Sequence, residues 1–350
     1  MSWMIYGANG YTGQLVLAEC QRLGLKPVLA GRNAEQMLAL GKRTGLETRS
    51  FALDDPSVVG AQIAGMSLVL HCAGPFSVTS APMLAACLAN RAHYLDITGE
   101  IDVFAACHAQ HQAALEAGIL VMPGVGFDVV PTDCLAQLLK TAMPNAEELL
   151  LAFDAEGGPS KGTALSSIEG AVKGGRIRRQ GALVNVPLAW RTREIHFTHG
   201  KRMATTIPWG DVFTAYISTQ IPNIEVYMAL PPKQIRMQSM LNWVRPLLAV
   251  GLVQNWLKRR VRAQVSGPSE KRRLKTRSYI FAQVKDAQGH TLRAQLSTPN
   301  GYTLTAEASV RIAQHVLANQ VKAGFSTPSQ LLGGEFVRSL SGVELHMDPS

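Results

Sequence analysis

The sequence predicts an α/β protein: a doubly wound parallel sheet at the N-terminus, followed by a second α+β domain with a mixed sheet and helices. Three observations predict it. Short apolar runs alternate with longer amphipathic ones through the first 125 residues, the βαβα rhythm of a parallel sheet covered on both faces. The 350-residue length exceeds the roughly 100–200 residues of a usual domain, so two cores are expected. Three glycines at a spacing of three follow the first apolar run, where a strand would turn into a helix.

Taken in order, strands are expected at 3–6, 27–30, 48–52, 67–72, 93–97 and 119–122. Helical patterns fill 11–23, 33–44, 56–64, 80–91 and 101–117. At the first turn, Gly7 permits a tight reversal, Gly10 lets the backbone approach a pyrophosphate, and Gly13 lets the helix pack against the sheet. The helix N-terminus then offers N–H groups and partial positive charge to phosphates. This is the context a Rossmann dinucleotide-binding turn requires, although the spacing is G-x-x-G-x-x-G and not G-x-G-x-x-G, with Asn9 at a position where asparagine tolerates a positive φ. After the second strand an NAD site would offer Asp or Glu to the ribose. Here stand Gly31, Arg32 and Asn33, and a guanidinium suits the 2′-phosphate of NADP.

Three more loops fall at strand ends: "CAGPF" (72–76), "DITGE" (96–100) and "PGVGFDVVPTD" (123–133). Each alone is ordinary turn chemistry. Together they can form the floor and wall of a nicotinamide site. Glu100 and Asp128 are candidate proton donors for the reduction of a C=C or C=N bond, which needs a proton beside the hydride. Asp96 and Asp133, on the same loops, read more readily as turn or helix caps.

From 147 to 299 strand-like runs recur ("LLLAFDA", "REIHFTH", "VFTAYIS", "IEVYMAL", "SYIFAQV", "TLRAQLS"), with helical patterns at 163–173 and 235–262. A further amphipathic helix begins at Tyr302. The expected division is a dinucleotide-binding domain at 1–125, a substrate or oligomerisation domain at 126–301, and a C-terminal helix and tail at 302–350.

The ordered set "YGANGYTG", "LAGRN", "CAGPF", "YLDITGE", "PGVGFDVVPTD", "NGYTLTA" and "GFSTPSQLLG" resembles the saccharopine dehydrogenase-like oxidoreductases, a family that includes trans-acting enoyl reductases. The resemblance implies an NADP-binding Rossmann domain, a mixed domain folding over the cofactor, and a C-terminal segment packing back on the first domain. It also implies cofactor roles for Gly7, Gly10, Gly13 and Arg32, with Ala73, Gly74, Pro75 and Phe76 beside the nicotinamide. The full expected contact set adds Ala8, Asn9, Tyr11, Thr12, Asn33, Thr98 and Gly99. The expected activity is hydride transfer between NADP(H) and a small or carrier-bound substrate with a C=C, C=N or C=O bond, acyl and enoyl groups among them; the competing class is a non-catalytic NADP sensor or a membrane-surface-associated Rossmann protein.

Composition excludes other classes. Hydrophobic residues make up 47% and charged residues 17%, which is unlike a disordered chain. Five cysteines form no C-x-x-C pair and read as reduced, buried thiols. Cys107, His108 and His111 sit on one expected helix without a distant partner, which argues against a metal site. No G-x-S-x-G elbow is present. No charged segment with an apolar stretch precedes the first motif, so a cytoplasmic protein is expected.

The net charge of +9 is concentrated. Nine lysines and arginines stand between Lys258 and Arg277 against Glu270 alone, which suits an acidic partner or a solvated face. No nucleic-acid motif accompanies the charge. The stretch 240–257 is too short and too broken by Arg245-Pro246 to span a membrane, but a surface-lying helix with peripheral membrane contact through 240–277 fits it. A homodimer is also expected.

Overall fold

The computed structural model describes residues 2–248 and 250–347. They form two compact units. One comprises the residues up to Phe127 together with Tyr302–Leu331; the other comprises Asp128–Gly301 and the residues from Leu332 onward.

The first unit alternates strands and helices: β1 (Trp3–Tyr6), α1 (Tyr11–Arg22), β2 (Val28–Gly31), α2 (Ala34–Thr44), β3 (Thr48–Ser50), α3 (Pro56–Ile63), β4 (Leu68–His71), α4 (Phe76–Asn90), β5 (His93–Asp96), α5 (Ile101–Ala109), α6 (His111–Ala117) and β6 (Leu120–Met122). After the second unit the chain adds α13 (Gly301–Ala318) and β15 (Gly324–Phe325). The seven strands lie in the order β15-β6-β5-β4-β1-β2-β3, all parallel. Strand order reverses between β1 and β4, which opens a crevice at the carboxyl ends of these strands. Strands β1, β2 and β4 are buried throughout, as a sheet covered on both faces demands. Local signals set the helix ends: Asn33 and Asp55 cap α2 and α3, and Gly45 and Gly118 close α2 and α6 in the left-handed conformation.

Two expectations here are corrected. The helix expected at 80–91 begins at Phe76, because a distant acceptor described below satisfies its first N–H groups. The helix expected at 101–117 is two helices, broken at Gln110 (φ −90°, ψ 10°).

The second unit contains α7 (Val130–Ala142), β7 (Glu148–Ala155), α8 (Lys161–Lys173), β8 (Gly175–Arg179), β9 (Ala182–Val186), β10 (Thr192–Phe197), β11 (Gly200–Thr206), α9 (Asp211–Thr219), β12 (Asn223–Ala229), α10 (Pro232–Leu248), α11 (Gly251–Gln264), α12 (Glu270–Lys275), β13 (Arg277–Lys285), β14 (Thr291–Pro299) and β16 (Glu344–Met347); α14 (Pro328–Leu332) runs across the division at Leu331. Its mixed sheet runs β10-β11-β12-β7-β13-β14-β16, with β8 and β9 joined through β12. A core of Ala152, Ile195, Phe197, Ala204, Tyr227 and Phe281 is built from five of these strands.

"VFTAYIS" is not a strand but α9. Val212, Ala215 and Thr219 are its buried residues at helical spacing, with Asp211 in the first turn, so a period near 3.6 wins over the β-branched and aromatic content. The loop expected at 123–133 ends early, since α7 starts at Val130 with Pro131 in its first turn. The tail expected as one piece at 302–350 divides at Leu331, because β16 pairs antiparallel with β14.

Candidate functional site

The β1–α1 turn is held by its own backbone. The N–H groups of Gly7 and Ala8 donate to the Ala30 carbonyl at 2.7 and 3.1 Å, and that of Gly10 donates to the Gly7 carbonyl at 2.9 Å. Gly7 has φ +84°, and a Cβ there would lie 2.8 Å from the Ala73 Cβ, so the loops after β1 and β4 meet at this point. At Gly13 a Cβ would lie 2.1 Å from the Gly7 oxygen, which is why α1 can approach the strand so closely. Gly10 precedes α1 with ordinary extended backbone (φ −71°, ψ 165°), and neither a side-chain cap nor an acidic residue in the first turn occupies this N-terminus. Thr12 is half-buried in that turn, and the Tyr11 ring meets Tyr302 edge-on at 5.0 Å.

Beyond β2, Arg32 is exposed, and its guanidinium makes no ion pair with the described residues. Asn33 accepts from the Gln36 N–H at 2.9 Å as the α2 cap. Asn9 donates to the Gln36 side chain at 2.5 Å and places its oxygen 2.9 Å from where a Gly31 Cβ would stand. Asn9 and Asn33 are therefore tied into the rim by α2.

The loop from Cys72 to Pro75 contains a cis Gly74–Pro75 bond. Ala73 and Pro75 are half-buried, Gly74 is exposed and Phe76 is buried. Thr79 donates to the Ala73 carbonyl at 2.6 Å and faces the His71 Nε2 at 3.0 Å. His71 is fully buried among Tyr6, Phe76 and Tyr94, and burial pushes its imidazole down to about 3. It is thus neutral at ordinary pH and acts as a strut under the loop. Both Glu100 oxygens accept from the start of α4, from Phe76 N–H at 3.1 Å and Ser77 N–H at 2.9 Å.

Asp96 joins the next two loops. One oxygen accepts from Thr98 and Gly124 N–H at 2.9 and 3.0 Å, and the other accepts from the Tyr94 hydroxyl at 2.7 Å. Complete burial lifts its carboxyl from 3.8 to about 6, against the pull of those hydrogen bonds. The Thr98 oxygen accepts from Glu100 N–H at 3.1 Å, and Gly99 is half-buried between them. Phe127 N–H donates to the Thr305 hydroxyl of α13 at 2.9 Å.

The expected residues thus fall into two groups. Gly7–Gly13, Arg32, Asn33, Ala73–Phe76, Thr98, Gly99 and Glu100 surround the carboxyl edge of one parallel sheet. Asp128 belongs to the second unit, where its carbonyl accepts from the Trp209 indole at 2.9 Å. Asp133, on α7, is fully buried there. Nearby Asp211 accepts from Thr132 at 2.7 Å, and burial, reinforced by the charges of Asp133 and Asp128, holds its carboxyl well above the usual range. His111 accepts from Phe325 N–H at 3.0 Å and His108 packs edge-on against Phe325; among the described residues no group of three or more His, Cys, Asp or Glu is placed to hold a metal. All five cysteines are buried and free. Sequence reading missed His71, Tyr302 and Thr305, whose contacts cross long separations that local pattern does not encode.

Residues 3–122 match the saccharopine dehydrogenase NADP binding domain. An alignment of 175 positions, covering 44% of this chain and 38% of the relative, is 29% identical to a mitochondrial saccharopine dehydrogenase-like oxidoreductase of Arabidopsis thaliana. An alignment of 186 positions, covering 47% of this chain and 43% of the relative, is 30% identical to a Mycobacterium tuberculosis protein named as a trans-acting enoyl reductase. The matches span about two fifths of these relatives' own length. In fold, 99% of this chain corresponds to 100% of a saccharopine dehydrogenase (L-Glu forming) from Saccharomyces cerevisiae, with a TM-score of 0.67 at 10% identity.

Proposed function

We propose that the chain is an NADP-dependent oxidoreductase of the saccharopine dehydrogenase-like family, a reading supported by the match of residues 3–122 to that family's NADP binding domain. Its substrate is a small or carrier-bound molecule with a C=C, C=N or C=O bond, an enoyl group among them. The enoyl reading draws support from the mycobacterial relative's name.

One observation carries the cofactor part. Gly10 stands before an uncapped helix with backbone angles any residue can adopt, and a side chain there would meet only the Gly7 oxygen. That single contact, at 3.2 Å, asks only a small shift of the fold, whereas a pyrophosphate approaching the α1 N-terminus leaves no room for a side chain. Arg32, exposed and without an ion pair among the described residues, is suited to the 2′-phosphate. When bound, the dinucleotide supplies a hydride. The chain's residues bind and orient it: Gly7–Gly10 receive the diphosphate, Ala73–Phe76 flank the ring, and Asp96 holds the loops after β5 and β6 together. Glu100 is a positioning residue in this reading, since both its oxygens hold α4.

Titration with NADPH and NADH tests the assignment. NADPH should bind more tightly, and Arg32→Ala should cut the preference about 10- to 100-fold, the range of a charge-assisted hydrogen bond worth about 1.5–3 kcal/mol. Equal affinities in the unaltered protein would overturn the choice of NADP. A panel of enoyl thioesters, imines and ketones then follows NADPH oxidation; firm binding without consumption across the panel would favour the sensor reading.

A further inference from the structure

Helices α10 and α11 adjoin each other and lie against α8, and each has an inner and an outer side. On the inner side of α10, Ile235 is buried, and Asn242 both accepts from Leu188 N–H at 2.8 Å and donates to its carbonyl at 2.9 Å. The inner side of α11 is fastened by Lys258, whose ammonium lies 2.6 Å from Glu169 of α8. On the outer sides stand apolar residues exposed to solvent. Met237, Met240, Trp243 and Val244 follow helical spacing on α10, with Trp243 89% exposed; Leu252 and Trp256 do so on α11, with Leu252 82% exposed. Leu274 of α12 is 76% exposed. Scattered apolar residues on a surface are ordinary, but two stripes with two exposed tryptophans are not.

The charge around these stripes has one sign. Residues 232–275 contain eleven lysines and arginines and one acidic residue, Glu270. Arg259 and Arg260 are exposed one turn beyond Trp256, with Arg260 5.4 Å from the indole centre, while Lys271, Arg272 and Lys275 are exposed on α12. Of the stretch 240–277, residue 249 and the side chains of 246–248 and 262 lie outside the described residues.

We propose that the outer face of α10, α11 and α12 is a membrane-docking surface that rests on an anionic bilayer. Its apolar stripes enter the headgroup boundary and its basic residues meet lipid phosphates, the arrangement of an in-plane amphipathic anchor. No helix among the described residues is long and apolar enough to cross a membrane, so docking is peripheral. A second copy of the chain is the weaker occupant, since a two-fold interface through this face would set Arg259, Arg260 and the α12 cations against their own images.

Flotation with vesicles tests the proposal, using phosphatidylcholine with and without phosphatidylglycerol. The protein should float with the anionic vesicles, with a blue shift of tryptophan emission, and should be released as salt shortens the Debye length from about 30 Å at 0.01 M to about 3 Å at 1 M. Trp243→Gln with Leu252→Gln should lower the partition at least tenfold, and Arg259→Gln with Arg260→Gln about tenfold. Unchanged circular dichroism and NADPH affinity in these variants would show that the fold is retained, as their outward positions require. Equal binding to neutral and anionic vesicles, or binding indifferent to both variants, would overturn the proposal. So would a stable lipid-free dimer that Trp243→Gln dissociates, or a tryptophan shift on an acidic acyl carrier protein with none on vesicles.

Discussion

A side chain added at Gly10 would find the Gly7 oxygen 3.2 Å away and nothing else near, while at Gly13 the same oxygen would be 2.1 Å away. The two glycines therefore answer to different demands, and substitution separates them. Gly10→Val should leave the melting temperature within a few degrees and weaken NADPH binding at least a hundredfold in a calorimetric titration, because the branched side chain takes the place of the diphosphate; retained affinity would move the phosphates elsewhere. Asp96 makes a different test. Its carboxyl is raised from 3.8 to about 6 by burial, so the folded state favours the protonated acid. That contribution to stability is present in full below pH about 3.8 and is lost as the pH rises through about 6. A shift of about two units corresponds to about 3 kcal/mol. Asp96→Asn does not ionise, so the variant's urea-unfolding free energy minus that of the wild type should grow by about 3 kcal/mol from about pH 4 to about pH 7. Neutral His71, whose folded value is depressed, tilts both proteins alike and cancels in this difference. A difference flat with pH would mean that Asp96 does not titrate in that window.

Helix α4 starts where it does because Glu100, 24 residues further on, accepts from its first N–H groups. A carboxylate at a helix N-terminus contributes about 1 kcal/mol through capping and the helix dipole. Glu100→Gln should thus lower stability by about that amount and leave turnover within a few-fold. A proton donor lost from the chemistry would instead lower kcat by at least about a hundredfold, an outcome that would return Glu100 to the catalytic set. The same contact explains what was and was not legible beforehand. Strands β1, β2, β4 and β6 and the glycine turn stand out because buried parallel strands are continuous apolar runs punctuated by turn residues. Local sequence could not show that "FSVTS" is helical, since its cap comes from another loop. It favoured a strand at "VFTAYIS", where β-branched and aromatic residues mimic one. Strand β8 reads Gly-Arg-Ile-Arg-Arg and carries no apolar run, and β9, Ala-Leu-Val-Asn-Val, is exposed or half-buried throughout; with a recognisable run on one side only, the hairpin could not be seen. At the site, the glycines, Arg32 and the loop positions were visible as types, whereas the strut of His71 and the Thr305 contact depend on tertiary neighbours.

The first unit is discontinuous, since Tyr302–Leu331 completes what the residues up to Phe127 begin. Helix α13 contributes ten buried residues, and β15 pairs with β6 through Gly324 and Phe325. A fragment ending at Phe127 should therefore melt broadly and bind a hydrophobic dye, whereas the same fragment joined by a short glycine-serine linker to residues 302–331 should unfold cooperatively and bind NADPH. Equal cooperativity in both fragments would show that the late segment is dispensable. The same discontinuity has a consequence during synthesis. At about 5–20 residues per second, the roughly 200 residues between β6 and β15 take about 10–40 s to emerge from the ribosome. Throughout that interval the nascent sheet has β6 as a bare edge and lacks the helix that covers part of its core. The period of greatest exposure to misassociation is thus set by where the chain returns, and a chaperone that recognises an open parallel-sheet edge would find its substrate in the unfinished chain while the second unit is still being translated.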